Sequence, residues 1–531
     1  MTEQGRRKRV IGIDAEQDAL QQAVFAFLMR PESHGVTDEI KRIDTHGAVV
    51  FLAGDHVYKV KRAVRYSFMD FSTLEKRRAV CEAEIAVNSA NAPGIYLGVV
   101  PILRADKEFQ LGKDGADMEG DIVEWAVHMR RFDEASTLDH LVMRNNLPSD
   151  IAHTLAAMVV RAHRNAPMVP DPLSSVVELG RYVRRNAEAL SERPDLFPPE
   201  RVLAVKAAGL AALDDLQALL LARAEAGDVR HCHGDMHLRN IVLIDGAPVL
   251  FDAIEFDDSI ATVDLLYDLA FLLMDLWERG LHDVANGVLN RYLWARGHER
   301  DLAGLAALPF FLSLRAGVRA MVTAVALPHL QDKELEQAQA EACRYLAMAE
   351  GFLSPQPVRL MAIGGLSGSG KSTLARFLAP DIGRPVGAVH LRSDIERKTL
   401  FNVAETTRLP PEAYTLAVTT EVYARLRRRA ELALRAGQSV IVDAVYATEV
   451  ERLEIENVAR HVGVRFDGFW LEAPMSTLEA RVEARINDAS DADTAVVRRQ
   501  STYDIGAISW NIVQSDTAPQ MALADVRHLL D

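Results

Sequence analysis

Residues 365–372 read Gly365-Leu-Ser367-Gly368-Ser369-Gly370-Lys371-Ser372, which satisfies the spacing G-x-x-x-x-G-K-[ST]. The run stands directly behind the apolar stretch 358–363 and ahead of a stretch with helical periodicity. A glycine-rich turn between strand and helix aims several backbone N–H groups at a β-phosphate, and the helix adds the positive end of its dipole. In such a loop Gly365, Ser367, Gly368, Ser369, Gly370 and Thr373 cradle the phosphates, Lys371 reaches the β/γ-phosphates and Ser372 holds Mg²⁺. The chemistry implied is the binding of a nucleoside triphosphate.

A second constellation lies far upstream. Residues 231–241 contain His233-Gly234-Asp235-Met-His237-Leu-Arg-Asn240, followed by an apolar run that ends in Asp252. An Asp followed five positions later by Asn, then a strand ending in Asp, repeats the logic of phosphoryl transfer in kinase catalytic loops. One carboxylate, Asp235, orients an acceptor hydroxyl, while the Asn240 amide and the Asp252 carboxylate hold a metal. His233 and His237 read as braces for this loop rather than as metal ligands.

Elements must position these groups. With 531 residues the chain exceeds a single core, so several domains are expected. A hydrophobic share of 49% beside 25% charged residues argues against extensive disorder. The formal charge of −15 disfavours a protein whose main task is gripping nucleic-acid backbone. Three separated cysteines, Cys81, Cys232 and Cys343, offer neither a disulfide framework nor a zinc-site spacing. The basic run 1–9 lacks a following apolar core and does not read as a secretory signal. Residues 305–327 are apolar but carry Arg315 and Arg319, which points to a buried or amphipathic helix rather than a membrane span. The expectation is a cytoplasmic protein without a membrane partner.

Gly351-Phe-Leu-Ser-Pro355-Gln-Pro357 is the clearest punctuation, and it suggests domains at 1–353 and 357–531. In the first, strand-like segments at 48–53, 57–61 and 123–127 flank a helical stretch at 74–90, and 137–350 is largely helical. A small β-rich lobe followed by an α-rich lobe predicts an α+β bilobal, protein-kinase-like domain. In the second, strand candidates at 358–363, 388–391, 439–442 and 466–471 alternate with helices. That alternation predicts an α/β P-loop NTPase domain with a parallel sheet and ligands at the strands' C-terminal ends.

The amino-terminal region resembles the aminoglycoside phosphotransferase-like family through its H-G-D-x-H-x-x-N run, 233–240 here. The resemblance implies a protein-kinase fold, Asp235 as catalytic carboxylate and Asn240 and Asp252 as metal ligands. Asp252 stands where kinases carry the Asp of D-F-G, but Ala253 and Ile254 follow it, so only the Asp carries over. Such a site also needs a cation on the nucleotide phosphates and a carboxylate to fix it. Lys59 is the candidate cation, with Lys61 on the same strand face as the alternative. Glu84 is favoured over Glu82 as its partner. Adenine is expected against backbone near 129–131, before a helix cap within 136–139. The first strands lack G-x-G-x-x-G, having only Thr45-His46-Gly47.

Residues 357–531 resemble small P-loop kinases of the gluconate kinase and zeta-toxin type, and bacterial proteins that join both modules form a two-domain family covering essentially the whole chain. The resemblance implies that Asp394, after the second strand, faces the acceptor hydroxyl as base or orienting group. Arg397 and Lys398 are candidates for an anionic acceptor. Residues 439–443 read as a Walker B strand whose Asp443 binds Mg²⁺, with Ala444 in place of the Glu of many motor ATPases. Arg481 and Arg485, four apart on an expected helix, suit a lid that brings positive charge to the transferring phosphoryl group. The polar segment 487–493 would be the lid tip, returning through Arg498 and Arg499. The function expected is a bifunctional ATP- and Mg²⁺-dependent phosphotransferase acting on hydroxyls of small molecules such as a sugar, a sugar-like compound or an antibiotic. The alternative is a small-molecule or polynucleotide kinase in the P-loop half with a regulatory amino-terminal module.

Overall fold

A computed structural model describes residues 15–530 except 46, 67–68, 106–107, 113–119, 328–329 and 486–487. The basic run 1–9, His46 and Asn487, weighed above, lie outside the described residues. The chain forms two compact units. One comprises residues up to Pro148, Arg161–Pro172 and Val229–Asp268, and the other Ser149–Val160, Leu173–Asp228 and the residues from Leu269 onward.

The first unit opens with α1 (Ala15–Leu28), then β1 (Lys41–Asp44), β2 (Ala48–Ala53), β3 (His56–Lys61) and the small pair β4 (Arg65–Tyr66) and β5 (Met69–Asp70). Next come α2 (Leu74–Asn88), β6 (Tyr96–Ala105), β7 (Glu108–Leu111) and β8 (Asp121–Arg130). The main sheet is antiparallel with order β1-β2-β3-β8-β6-β7. Side chains alternate across it. Val49 and Phe51 of β2 and Val60 of β3 pack with Val24, Phe25 and Leu28 of α1, whereas Val57 joins Cys81 of α2 on the opposite face. Period two therefore carries Lys59 and Lys61 to the α2 face, where Arg77, Cys81, Glu84 and Asn88 form the buried stripe of the helix. The expected strands carry no sign of β6, because Gly98, Pro101 and two register shifts against β8 break its alternation.

Two short helices follow, α3 (Leu138–Met143) and α4 (Ile151–Asn165), and then α5 (Ser174–Ser191) and α6 (Pro199–Glu225). The chain returns to the first unit with β9 (Val229–His231), the hairpin β10 (Ile241–Ile244) and β11 (Ala247–Leu250), α7 (Asp258–Ala261) and β12 (Thr262–Asp264), which pairs with β9. Thr137 stands at the N-cap position of α3 but makes no side-chain cap bond. Its hydroxyl donates to the Glu134 carbonyl at 2.8 Å, correcting the capping role expected near 136–139.

After α8 (Leu265–Glu278) come α9 (His282–Arg296), α10 (Glu299–Gly304), α11 (Leu308–Ala326) and α12 (Asp332–Leu353). The stretch Glu299–Ala326 is long and apolar enough to cross a membrane, yet 72% of its most apolar window is buried inside the protein. Its α11 packs on α12 and α5.

The remaining elements are β13 (Arg359–Gly364), α13 (Lys371–Leu378), β14 (Val389–Arg392), α14 (Ser393–Leu400), α15 (Leu416–Arg435), β15 (Val440–Asp443), α16 (Glu449–Val462), β16 (Arg465–Glu472), α17 (Met475–Glu483), α18 (Thr494–Gln500), β17 (Asn511–Gln514) and α19 (Pro519–Leu530). The sheet is parallel throughout, ordered β14-β15-β13-β16-β17. Met361, Ile363, Ile441, Phe469 and Leu471 pack with Leu374 and Leu378 of α13 and Val526 of α19. The four expected strands are all present within a residue or two. The fifth, β17, has only one buried side chain, Val513, and so offers no apolar run to read.

Candidate functional sites

The first site is built in the first unit. Lys59 Nζ lies 2.8 Å from Glu84 Oε1 and 2.7 Å from Asp252 Oδ1. Lys61 contacts Glu84 Oε2 at 2.6 Å and also pairs with Glu255. Both lysines thus share one buried carboxylate, but only Lys59 bridges to Asp252. Glu82, the alternative partner, is exposed and pairs with Arg78. Burial opposes ionisation of Glu84, yet the two ammonium groups hold its carboxyl down to about 2. Burial likewise works against the Lys59 ammonium, and Asp252, Glu84 and Glu255 overcome it and raise it well above its ordinary value.

Asp252 follows β11 with φ +61, a left-handed conformation uncommon for a residue with a Cβ. Its N–H donates to the Tyr96 hydroxyl at 3.0 Å, and the next N–H, of Ala253, donates to Asn88 Oδ1 at 2.9 Å. Asn88 in turn donates to the Glu84 carbonyl at 2.9 Å, so α2 positions both the carboxylate partner of Lys59 and the backbone at Asp252. Asn240 Nδ2 donates to Asp235 Oδ2 at 3.0 Å, which joins the first two members of the constellation. His233 contacts the Phe251 carbonyl through Nε2 at 2.9 Å, and the Gly234 N–H donates to Asp268 at 2.9 Å. Asp264 accepts from Leu266 N at 2.8 Å as a cap for α8. Tyr96, Asn88 and Glu255 were missed in the sequence, where no local signal marks them.

The second site lies at the C-terminal ends of β13, β14 and β15, in the second unit. Gly365 has φ +135, and a Cβ there would sit 2.7 Å from the Leu471 carbonyl, so glycine is required where the loop leaves β13. Gly370 is left-handed at the start of α13, which opens at Lys371. Lys371 Nζ folds back on the loop, donating to the Gly365 and Leu366 carbonyls at 2.8 and 2.9 Å. Burial lowers its ammonium to about 8. The Ser369 hydroxyl is buried without a hydrogen-bond partner among the described residues. Ser367 donates its N–H to Gln500 at 2.8 Å, and Ser372 and Thr373 occupy the first turn of α13.

Strand β14 ends at Arg392, which puts Asp394 in the first turn of α14. Burial raises the Asp394 carboxyl, with the Arg392 charge opposing. Parallel pairing sets Asp443 beside Arg392 on one side and Ile363 on the other. Asp443 Oδ2 lies 2.6 Å from His390 Nε2. Burial alone would raise Asp443, but His390, Arg392 and Lys371 keep it below the usual carboxylate range.

The lid reading is corrected in part. Helix α17 ends at Glu483, so Arg485 lies beyond the helix and not one turn from Arg481 on it. Arg481 donates to the Thr517 carbonyl at 3.2 Å, while Arg485 Nη1 is buried without a hydrogen-bond partner among the described residues. Lys398 is committed to Asp491, at 2.7 and 2.8 Å. Asp491 also accepts from the Tyr414 hydroxyl at 2.5 Å and the Leu409 N–H at 3.0 Å, which anchors the segment expected as a lid tip. Arg397 is buried on the Tyr414 ring and donates to the Ala413 carbonyl at 2.6 Å. Arg498 pairs with Glu479.

The phosphotransferase enzyme family matches residues 56–308, and the AAA domain family called AAA_33 matches 360–503. An uncharacterized protein of Mycobacterium tuberculosis is 31% identical over 90% of this chain and 93% of its own length. An uncharacterized protein of Mycobacterium bovis matches to the same extent, 31% over 90% and 93%. Among solved structures, a choline/ethanolamine kinase family protein from Mesorhizobium loti covers 63% of this chain and 95% of its own at 15% identity and a TM-score of 0.37. An APS kinase from Mycobacterium tuberculosis covers 33% and 99% at 21% identity and a TM-score of 0.25. The chain belongs to the family of these mycobacterial proteins, and it is a kinase-type phosphotransferase with a protein-kinase-like domain followed by a P-loop kinase domain.

Proposed function

We propose that the chain carries two phosphoryl-transfer sites, in domains spanning 1–353 and 357–531, each moving the γ-phosphate of ATP to a hydroxyl of a small molecule in the cytoplasm. The observation that carries the reading is the convergence in the first unit of Lys59, Glu84, Asp252, Asn240 and Asp235, a complete phosphoryl-transfer set separate from the P-loop. A domain kept only for binding has no need of all of them. Lys59 would hold the nucleotide phosphates, Asp235 the acceptor hydroxyl, and Asn240 and Asp252 a hard cation through oxygen.

In the P-loop site the donor set suits Mg²⁺ equally, with the Ser372 hydroxyl and the ionised Asp443 as oxygen donors. The buried Ser369 hydroxyl fits a phosphate-lined loop, since such a donor is costly unless something accepts from it. Bound Mg²⁺ would neutralise charge on the β/γ-oxygens. Asp394 would orient the acceptor hydroxyl and take its proton, its raised carboxyl making it the better base. Arg481 and Arg485 would supply charge near the γ-phosphate.

The test follows ADP release and phosphorylated product across a panel of sugars, amino alcohols, antibiotics and oligonucleotides in wild type, Asp235→Asn and Lys371→Ala proteins. Two products, each lost in one variant, is the expected result. If Asp235→Asn costs no activity on any acceptor, the amino-terminal domain is a binding or regulatory module. Phosphorylation confined to oligonucleotide ends would overturn the small-molecule reading.

A further inference from the structure

Strand β14 is the edge of the P-loop sheet, and its free side meets a helix instead of another strand. Asn286, Asn290 and Trp294 stand four residues apart on α9 and so share one face. Asn290 Oδ1 accepts from the His390 N–H at 2.7 Å, and its Nδ2 donates to the Ala388 carbonyl at 3.2 Å. Trp294 Nε1 donates to the His390 carbonyl at 2.9 Å. Asn286 Nδ2 donates to the Val386 and Ala388 carbonyls at 2.9 and 3.0 Å. Three side chains thus take the hydrogen bonds that a neighbouring strand would have made.

The seam is buried and shaped for this. Asn286, Asn290 and His390 are each less than 5% exposed, so their polar atoms depend on one another rather than on water. Gly387 leaves the room, since a Cβ there would lie 2.8 Å from Asn286 Nδ2. At the end of α9, Arg429 of α15 donates to the Gly297 carbonyl at 3.0 Å and pairs with Glu396 of α14 at 2.8 Å.

What the seam holds is the chemistry. His390 bears on Asp443 at 2.6 Å, and four residues after His390 stands Asp394. We infer that Asn290 and Trp294 are positioning residues for phosphoryl transfer at the P-loop site, acting through the backbone of His390 on Asp443 and Asp394. The inference rests on the reading of that site as catalytic. It means that the carboxy-terminal kinase is completed by a helix lying within the region 56–308 matched by the phosphotransferase enzyme family. Residues 357–531 alone then lack part of their catalytic support.

The experiment uses the full chain in an Asp235→Asn background, which isolates the P-loop site, and compares Asn290→Ala, Trp294→Phe and Arg428→Ala. Arg428 of α15 pairs with Glu299 of α10 in an exposed ion pair, makes none of the hydrogen bonds to β14 named above, and serves as the control. ADP release with saturating acceptor gives kcat, calorimetry gives ATP affinity, and hydrogen exchange of a peptide covering 386–394 reports the strand directly. Misplacement of catalytic groups by about 1 Å costs up to roughly a hundredfold in rate, so kcat should fall about ten- to a hundredfold in Asn290→Ala and less in Trp294→Phe. ATP affinity should change by less than about threefold, since the phosphate loop is untouched, and exchange over 386–394 should quicken in both but not in Arg428→Ala. If Asn290→Ala does not fold, Trp294→Phe, which keeps one aromatic ring and loses the five-membered ring with its N–H, decides the matter. Unchanged kcat and exchange in a folded variant would overturn the inference, as would equal losses in the Arg428→Ala control. Activity that survives Lys371→Ala in the same background would instead overturn the reading of the P-loop site itself, and the inference with it.

Discussion

Lys59 and Asp252, 193 residues apart in the chain, meet at 2.7 Å in the first unit. The contact joins a β-strand cation to the carboxylate that follows the β10–β11 hairpin, and it places the Lys59–Glu84 pair next to the proposed metal ligand. A nucleotide with its cation would compete for both groups, so the contact marks where the phosphates are expected to sit.

Lys59→Met should lower turnover at the amino-terminal site by roughly a hundred- to a thousandfold, the usual cost of losing one preorganised charge donor. Folding should survive, because Glu84 keeps Lys61 as a partner. Steady-state kinetics in a Lys371→Ala background, with a thermal melt, checks both halves. Turnover within threefold of the parent would remove Lys59 from its role.

Glu84 ties acid stability to this site. Its folded carboxyl is held at about 2, below its unfolded value near 4.5, so its contribution is full above the unfolded value and is lost as pH falls from there toward 2. The shift corresponds to something on the order of 3 kcal/mol. Urea unfolding at pH 7, 4 and 3 should show the wild type losing its advantage over Glu84→Gln as pH falls. A constant difference between the two proteins would contradict the assignment.

Tyr96→Phe should cost about 1 kcal/mol, since it leaves the Asp252 N–H without its hydroxyl acceptor. Because Asp252 is held at a left-handed backbone angle, the loss should also weaken metal-dependent nucleotide binding at the amino-terminal site. Calorimetry with a non-hydrolysable ATP analogue and Mg²⁺ in a Lys371→Ala background measures it, and equal affinity would argue that Tyr96 only fills space.

Asp394→Asn should leave ATP affinity at the P-loop nearly unchanged and reduce transfer by roughly a hundred- to ten-thousandfold, the range for loss of a general base. Lys371→Ala should do the reverse in order, failing first in binding. Measuring ATP affinity and acceptor phosphorylation side by side separates the two, and normal transfer by Asp394→Asn with Asp235→Asn also present would exclude Asp394.

Gly365→Ala should destabilise the second unit by roughly 1–3 kcal/mol, because the new methyl meets the Leu471 carbonyl at 2.7 Å from a backbone angle that side chains avoid. Chemical denaturation reports the cost. A neutral substitution would mean the loop has another way out of β13.

The residues 365–372 were legible in the chain because a phosphate loop is a local object: consecutive backbone N–H groups, one turn and one helix start, all within one short stretch. The same holds for Asp235 and Asn240, five apart, and for the four apolar strands of the parallel sheet. Glu84 over Glu82 was legible only as a preference, since both lie on one helix and burial alone decides which faces the sheet. Arg485 was misjudged by two residues of helix length, and Lys398 by a carboxylate, Asp491, that lies 93 residues away. What only the tertiary structure decided is which distant groups share a charge or a hydrogen bond: Lys59 with Asp252, Tyr96 with the Asp252 backbone, and Asn290 with His390 across 100 residues. Sequence spacing specifies geometry within a turn or a strand, because backbone dihedrals carry it from one residue to the next. Between elements the geometry is set by which faces bury together, and no spacing along the chain encodes that.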